Sequence, residues 1–450
     1  MTLNFKVKLS LNKNLNSSSK HANALFSFFA FILFSINLNA QKTYTHVAFI
    51  NGTAHLGNGK VIENSLVVVN KSLFEVVGSI TGIRLNPIAY DTVIDLQGKH
   101  IYPSIINTNN ILGLHDAEAV RATRDFSEVG NINPHIRALI AYNTDNLIVP
   151  TVKTNGILYT QVTPRDGLIS GSSSLMALEG WNWEDAVVLE DDGIHLNFPK
   201  TAKRKFSEEE GFSISNNKNY TSEINYLEKF FLDAQAYCNS ESISEKNIRF
   251  EAMRSIFKGN ANLYLHADKA KDIIGAINFS KKFNIKKPVI VGGKESYKVT
   301  TILRQNNIPV MLNRVNDLPD NSDDDIDIVF KTPFLLQKDS ILFCLQLEGD
   351  MEAMQSRNLP FNAGVAVSYG LSKEQALTSI TYNAAKIIGV EKKLGTLEEG
   401  KLASFVVSVG DILDIKSNNI ILAYIAGKSV NLNNKQTELY LKYKTKYGIK

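Results

Sequence analysis

The chain has 450 residues, of which 44% are hydrophobic and 21% are charged. This composition is typical of a soluble globular protein and excludes a collagen-like or intrinsically disordered chain. Four of the 49 basic residues lie in the first 40 positions, which contain no acidic residue, so 45 basic residues face 45 acidic ones in the remainder. Residues 41–450 therefore have no formal net charge, which removes the main electrostatic reason to expect nucleic-acid binding.

The first forty residues have the pattern of a secretory signal peptide. Lysines precede an apolar run from Ala24 to Leu38, and Ala40 supplies a small residue at a cleavage position. A transmembrane anchor is the alternative, but a bilayer requires roughly 20 apolar residues and this run is shorter. We therefore predict cleavage after Ala40, a periplasmic mature protein and no membrane span after processing.

Short strands separated by turns follow, up to residue 100. The segments 46–50, 65–69 and 92–96 are rich in apolar and β-branched residues, and Asn51-Gly52 is a turn signal. This pattern predicts that residues 41–100 belong to a small β domain.

From residue 101 onward, predicted strands alternate with predicted helices. Strands are predicted at 156–161, 263–266 and 288–291, and a helix at 270–283. Strands joined by crossover helices form a parallel sheet, and the pattern fits either a barrel or a doubly wound sheet. A charged stretch with an amphipathic helix near 200–242 predicts an inserted helical arm, which is a solvated insertion, a lid or a partner surface.

Neither the cysteines nor the serine run at 172–174 defines a site. Cys238 and Cys344 are far apart, and an exported protein could pair them without the sequence requiring it. The serines lack the Gly-x-Ser-x-Gly pattern of an exposed nucleophile.

Three segments carry a family pattern. They are Tyr-Pro-Ser-Ile-Ile-Asn-Thr-Asn-Asn-Ile-Leu-Gly at 102–113, the apolar and helical stretch 357–389, and Gly-Thr-Leu-Glu-Glu-Gly-Lys-Leu-Ala-Ser at 395–404. Together they resemble the amidohydrolase superfamily, most closely its exported imidazolonepropionase-like bacterial members. The resemblance implies an α/β fold with a (β/α)8 TIM-type barrel at 101–394. It also implies a small β-sandwich built from 41–100 and 395–435, with a tail at 436–450.

The resemblance further implies a metal site at the carboxyl ends of the barrel strands, and the sequence departs from it. The family holds its metal with paired histidines on the first strand, one histidine on each of strands five and six, and an aspartate on strand eight. Asn109 and Ile111 stand at the paired positions and Gly292 or Gly293 at the strand-six position, whereas His266 matches strand five. Zinc sites are built from imidazole, thiolate and carboxylate, so the three substituted positions are degenerate.

Strand eight leaves the aspartate position open among Gln346, Glu348 and Asp350. We predict at most one weakly bound zinc or manganese ion, held by the remnant His266 with Glu348 or Asp350. The catalytic candidates are His266 and Asp350, and the ligand-binding candidates are Asn109, Arg165 and His266.

Two functions are compatible with this pattern. The first is a pseudoenzyme that has lost metal-dependent hydrolysis and binds a small molecule, or serves as a partner subunit of an active relative in a homo- or hetero-oligomer. The second is a hydrolase acting on non-peptide C–N bonds of a small cyclic amide or peptide-like metabolite, with a reduced or absent metal site.

Overall fold

The computed structural model describes residues 45–117, 120–207, 211–243, 245–321, 323–349 and 351–449. The predicted signal peptide at 1–40 and the candidate Asp350 lie outside the described residues. No helix in the described part of the chain is both long and apolar enough to cross a membrane.

The strands form two large sheets and one hairpin. In chain order the strands are β1 (His46–His55), β2 (Val61–Asn70), β3 (Leu73–Ser79), β4 (Thr92–Asp95), β5 (His100–Pro103), β6 (Ile105–Asn110), β7 (Ile157–Val162), β8 (Ile169–Ala177), β9 (Val187–Asn197), β10 (Ala202–Ser207), β11 (Gly211–Asn216), β12 (Asn262–Ala267), β13 (Pro288–Gly292), β14 (Val310–Leu312), β15 (Phe343–Leu345), β16 (Phe405–Ser408), β17 (Ile420–Ile425) and β18 (Lys428–Ser429). The predicted strands at 46–50, 65–69, 92–96, 156–161, 263–266 and 288–291 are therefore confirmed.

The helices lie mostly after residue 148. They are α1 (Val149–Lys153), α2 (Trp183–Ala186), α3 (Tyr220–Asn239), α4 (Ile248–Lys258), α5 (Ala270–Lys282), α6 (Thr300–Gln305), α7 (Ile328–Lys338), α8 (Glu352–Gln355), α9 (Leu359–Ser368), α10 (Lys373–Ile380), α11 (Tyr382–Ile388) and α12 (Lys435–Lys446). The predicted helix at 270–283 is confirmed as α5. The insertion near 200–242 contains the β10–β11 hairpin as well as α3, so it is not purely helical.

Both ends of the described chain contribute to the first sheet. Its order is β18-β17-β16-β5-β1-β2-β3, with β4 beside β1. Strand β16 pairs antiparallel with β5, with Val407 opposite Ile101. One face is apolar and includes the edge-to-face rings of Phe49 and Phe405. The hydrogen bonds define one eight-stranded sheet, and the second facing sheet of a sandwich stays a prediction.

The second sheet is a nearly closed, eight-stranded barrel wall in the order β15-β14-β13-β12-β9-β8-β7-β6. Its two end strands approach each other, with Thr108 Oγ1 3.6 Å from Cys344 Sγ. Seven of these strands are parallel, but β8 runs antiparallel to both β7 and β9. This corrects the uniformly parallel (β/α)8 expectation, because residues 163–168 are too few for the crossover helix that a parallel connection requires.

Alternation along β12 separates a polar inner face from an apolar outer one. Leu263 and Leu265 are fully buried and pack in the main core with Ile273 of α5. Tyr264 and His266 point to the opposite side, since successive strand residues face opposite ways. The inner face of the barrel therefore carries hydrogen-bonding side chains.

Both cysteines are free, so Cys238 and Cys344 do not pair.

Candidate functional site

The sequence-predicted residues meet at the carboxyl ends of the parallel barrel strands. Asn109 lies in β6, His266 in β12, and Glu348 just after β15. Asn109 Nδ2 donates to Glu348 Oε2 at 2.9 Å, and the same oxygen lies 3.8 Å from His266 Nδ1. Three candidates are therefore in one place. Glu348 is the strand-eight carboxylate that the described residues bring to this place.

Arg165 supplies a positive charge at this place. Its guanidinium donates from Nη1 to Asn109 Oδ1 and from Nη2 to Asn109 O, both at 2.9 Å. Nη2 also contacts Glu352 Oε1 at 2.7 Å, in an ion pair whose side chains are 14% and 6% exposed. Hydrogen bonds between charged groups are shorter and stronger than neutral ones. Asn109, the residue at the family's first-strand ligand position, is thus hydrogen-bonded to a protein cation.

Glu352 was missed from the sequence, since no local pattern marks it. It is buried at the start of the four-residue helix α8, directly after Met351, whose φ of 54° is left-handed. Only the folded chain brings it to Arg165.

The backbone at Asn109 departs from a regular strand. Its φ is 48°, and the pairing of β6 with β7 shifts register between Asn107 and Asn110. Asparagine is among the few residues that adopt the left-handed region readily. The shift breaks the alternation that would place Asn109 and Ile111 on one strand face. Ile111 packs in the main core, and its N–H donates to Glu352 Oε1 at 3.0 Å.

The strand-six position is filled by a neighbouring carboxylate. A Cβ at Gly292 would lie 2.4 Å from Asp268 Oδ1, and Gly292 has a φ of 91°. Burial raises the pKa of Asp268, and the negative charge of Glu348 adds to this rise, while Lys200 opposes it. A histidine at residue 292 would displace this carboxylate.

At strand eight, Gln346 faces the inside of the barrel together with Cys344, two residues earlier. Its side chain is fully buried, and neither amide atom has a hydrogen-bond partner among the described residues. An amide is a poor ligand for zinc. Gln346 therefore does not replace the family's aspartate.

A chain of hydrogen bonds leads from His266 into the barrel. His266 Nε2 lies 2.9 Å from His195 Nδ1, and His195 Nε2 lies 2.9 Å from Ser173 Oγ. Ser173 Oγ donates to Asp192 Oδ1 at 2.8 Å. Ser173 belongs to the serine run to which the sequence assigned no site, and His195 and Asp192 were missed.

The donor and the acceptor of each hydrogen bond in this series follow from its inner end, at Ser173 and Asp192. Ser173 uses its only proton toward Asp192, so His195 Nε2 donates to Ser173 and His195 Nδ1 accepts from His266 Nε2. The remaining nitrogen of His266, Nδ1, faces Glu348. Ser173 itself is fully buried. It is not placed to act as a nucleophile on a ligand at the mouth.

Burial shifts the pKa values of Asp192 and His195 in opposite directions. Burial raises the pKa of Asp192 to about 6, although Tyr264, Ser173 and Gln161 donate hydrogen bonds to its carboxylate. Burial lowers the pKa of His195 well below its ordinary value, and the positive charges of His266 and Arg165 add to this.

The pKa of Glu348 is shifted in the opposite direction from that of Asp192. Burial alone would raise its pKa, but the nearby charges of His266 and Arg165, together with the hydrogen bond from Asn109, hold the pKa well below its usual range. Glu348 is therefore an anion at the mouth of the barrel.

A cavity of about 530 Å³ opens beside Glu348. Its apolar wall is formed mainly by Ile111, Phe126, Ile148, Met351 and Met354. Its charged wall is formed by Asp116, Arg124, Arg165, Asp166, Glu348 and Glu352. Such a concave site with an apolar wall and a few convergent polar groups is typical of small-molecule binding.

The donor set does not fit the metal that the fold family implies. Catalytic zinc takes three protein ligands. Within the described ranges, no group of three or more His, Cys, Asp or Glu side chains is arranged to hold a metal ion. Asn109 is bonded to Arg165, Gly292 has no side chain, and His266 Nε2 is bonded to His195.

Comparison with known proteins supports the family resemblance. The sequence profile of the amidohydrolase family matches residues 342–430. No curated protein matches the chain. An amidohydrolase from Thermotoga maritima MSB8 superposes with a TM-score of 0.72 at 22% identity, covering 86% of this chain and 99% of that one.

Two further solved structures share the fold at lower similarity. A prolidase complexed with N-methylphosphonate-L-proline has a TM-score of 0.52 and 13% identity, covering 86% of this chain and 100% of that one. A Xaa-Pro dipeptidase with bound methionine has a TM-score of 0.52 and 12% identity, with the same coverages. The profile match confirms the predicted resemblance to amidohydrolases at residues 342–430, and these structures support the barrel.

Proposed function

We propose that this chain, an amidohydrolase-superfamily protein by its profile match and its fold, has lost metal-dependent hydrolysis and keeps the barrel mouth as a small-molecule binding site. One observation carries the proposal: protein groups occupy the positions at which the family holds its metal. Arg165 is bonded to Asn109, and the carboxylate of Asp268 fills the side-chain space of Gly292.

Electrostatics support the same proposal. A divalent cation bound beside Asn109 would lie close to the Arg165 guanidinium, and like charges at such separations repel strongly where water is scarce. Moving Arg165 away would leave Glu352, whose side chain is 6% exposed, without its partner. Breaking a buried ion pair by removing one partner costs about 3–5 kcal/mol. Metal binding would have to offset that cost.

A partner role is the second form of this proposal. A barrel that keeps its fold and its mouth could serve as a subunit beside an active relative, in a homo- or hetero-oligomer. Fold similarity alone assigns no chemistry, so this form rests on the altered site.

The alternative function is hydrolysis of a non-peptide C–N bond in a cyclic amide or peptide-like metabolite, with a reduced or absent metal site. It is favoured by His266 Nδ1 facing Glu348 Oε2 at 3.8 Å, a histidine–carboxylate pair of the kind that transfers protons in hydrolysis. Two proteins of similar fold, a prolidase and a Xaa-Pro dipeptidase, also support it.

Elemental analysis tests the proposal. The purified protein is supplemented with zinc or manganese, desalted and analysed for metal per chain. We expect less than one tightly bound equivalent, unchanged in His266→Ala and in the control His46→Ala, whose histidine lies in β1. A stoichiometric metal that is lost in His266→Ala only would contradict the proposal.

An activity screen separates the two functions. Dihydroorotate-like, hydantoin-like and dipeptide substrates are tested with metal-supplemented and chelator-treated protein. The first function predicts no turnover in either sample. Turnover that survives chelation and is abolished by His266→Ala would establish the alternative.

A further inference from the structure

We infer that the cavity at the barrel mouth takes a small organic cation, a protonated amine with an apolar body, whose ammonium group pairs with Glu348. This inference rests on the proposed function, because it requires a mouth in which no metal holds the carboxylate.

Glu348 contributes a carboxylate to the cavity wall. Its Oε2 accepts from Asn109 and lies beside His266, whereas its Oε1 has no hydrogen-bond partner among the described residues. The side chain is 29% exposed and belongs to the cavity wall. An ionised carboxylate accepts several hydrogen bonds, so Oε1 is available to an ammonium donor.

The charge of the cavity favours a cation. Four carboxylates and two guanidinium groups line it. Of the two cations, Arg165 is already paired with Glu352 at 2.7 Å and bonded to Asn109. A concave site with an excess of one charge sign concentrates ligands of the opposite sign. A carboxylate ligand would instead meet Glu348 and Asp166.

The remaining wall suits an apolar body. Phe126 and Ile148 form a fixed side, and Met351, which is 55% exposed, and Met354 form a side made of flexible thioether chains. Methionine adapts to irregular apolar shapes. The volume of about 530 Å³ lies in the usual range for small-molecule sites.

Calorimetry with three matched probes tests the inference: 4-phenylbutylamine, 4-phenylbutanol and 4-phenylbutyrate, each titrated into chelator-treated full chain at low salt. We expect the amine to bind about tenfold more tightly than the alcohol, and the acid to bind most weakly. Glu348→Gln should remove the advantage of the amine and leave the affinity of the alcohol unchanged. The control Glu184→Gln, an exposed carboxylate of α2 outside the cavity, should leave all three affinities unchanged.

Three results would overturn the inference: no binding of the amine, binding of the acid as tight as that of the amine, or an amine preference that persists in Glu348→Gln. Metal analysis of the same samples keeps the two proposals apart. A full equivalent of metal per chain contradicts the proposed function, whereas loss of the amine preference without metal contradicts only the cation site.

Discussion

Arg165 is the residue around which the mouth of the barrel is organised. It bonds the side chain and the carbonyl of Asn109 and pairs with Glu352. Arg165 was predicted as a ligand-binding residue because the segment 161–171 resembles the family's strand-two loop. In the structure its guanidinium is committed to protein groups, so its role is to position Asn109 and to neutralise Glu352.

Arg165→Met should destabilise the protein. The change keeps the length of the side chain but leaves Glu352, which is 6% exposed, without a counter-ion. We expect the free energy of unfolding, measured in urea, to fall by about 3–5 kcal/mol. The double variant Arg165→Met/Glu352→Gln is the control and should recover much of this loss. Equal losses in the single and double variants would contradict a charge-pair origin.

Asp192 gives the stability a pH dependence. Because burial raises its pKa from 3.8 to about 6, the folded chain binds this proton more tightly than the unfolded chain. The resulting contribution to stability is fully present below pH 3.8 and is lost as the pH rises through about 6. At neutral pH the loss amounts to about 3 kcal/mol, because the pKa is 3.8 in the unfolded chain and about 6 in the folded one.

Unfolding of wild type and Asp192→Asn at several pH values measures this effect. The free energy of unfolding of the wild type, relative to that of the variant, should decrease between pH 4 and pH 7, because asparagine does not titrate. A difference that stays constant over this interval would show that Asp192 is not responsible.

At the scale of elements, local patterns were sufficient to place strands and helices but not to orient them. The predicted strand at 156–161 is β7 and the predicted helix at 270–283 is α5. Strand β8 runs antiparallel although no two-residue hairpin marks the reversal: Val162 pairs with Ser174, so the connection extends well beyond the Asp166-Gly167 pair. The family resemblance led to a parallel reading of this loop.

The end of β13 provides a test at the same scale. Gly292→Ala introduces a Cβ that meets Asp268 Oδ1 at 2.4 Å, in addition to the strain of a φ of 91°. Gly400→Ala is the matched control, because Gly400 has a φ of 81° and open space around its Cβ position. We expect the control to lose about 1 kcal/mol of stability and Gly292→Ala to lose about 1–3 kcal/mol more. Equal losses would show that the carboxylate moves away at no cost.

At the scale of the whole molecule, export is a proposal about residues 1–40, which lie outside the described residues. Intact-mass analysis of protein secreted from a bacterial host should give a chain that begins at Gln41. A bulky residue at the cleavage position, as in Ala40→Phe, should block processing. Recovery of the wild-type chain with residues 1–40 still attached would contradict a cleavable signal.

The sequence by itself determined the positions of most tested strands, the family resemblance and the absence of histidines at Asn109, Ile111 and Gly292. These features follow from residue type and short-range periodicity, so they can be read along the chain. Only the tertiary structure decided what occupies those positions: Arg165 beside Asn109, and Asp268 in the space at Gly292. The tertiary structure also decided the series of hydrogen bonds that leads from His266 through His195 and Ser173 to Asp192. Burial and charge pairing join residues far apart in sequence, and no local pattern encodes them.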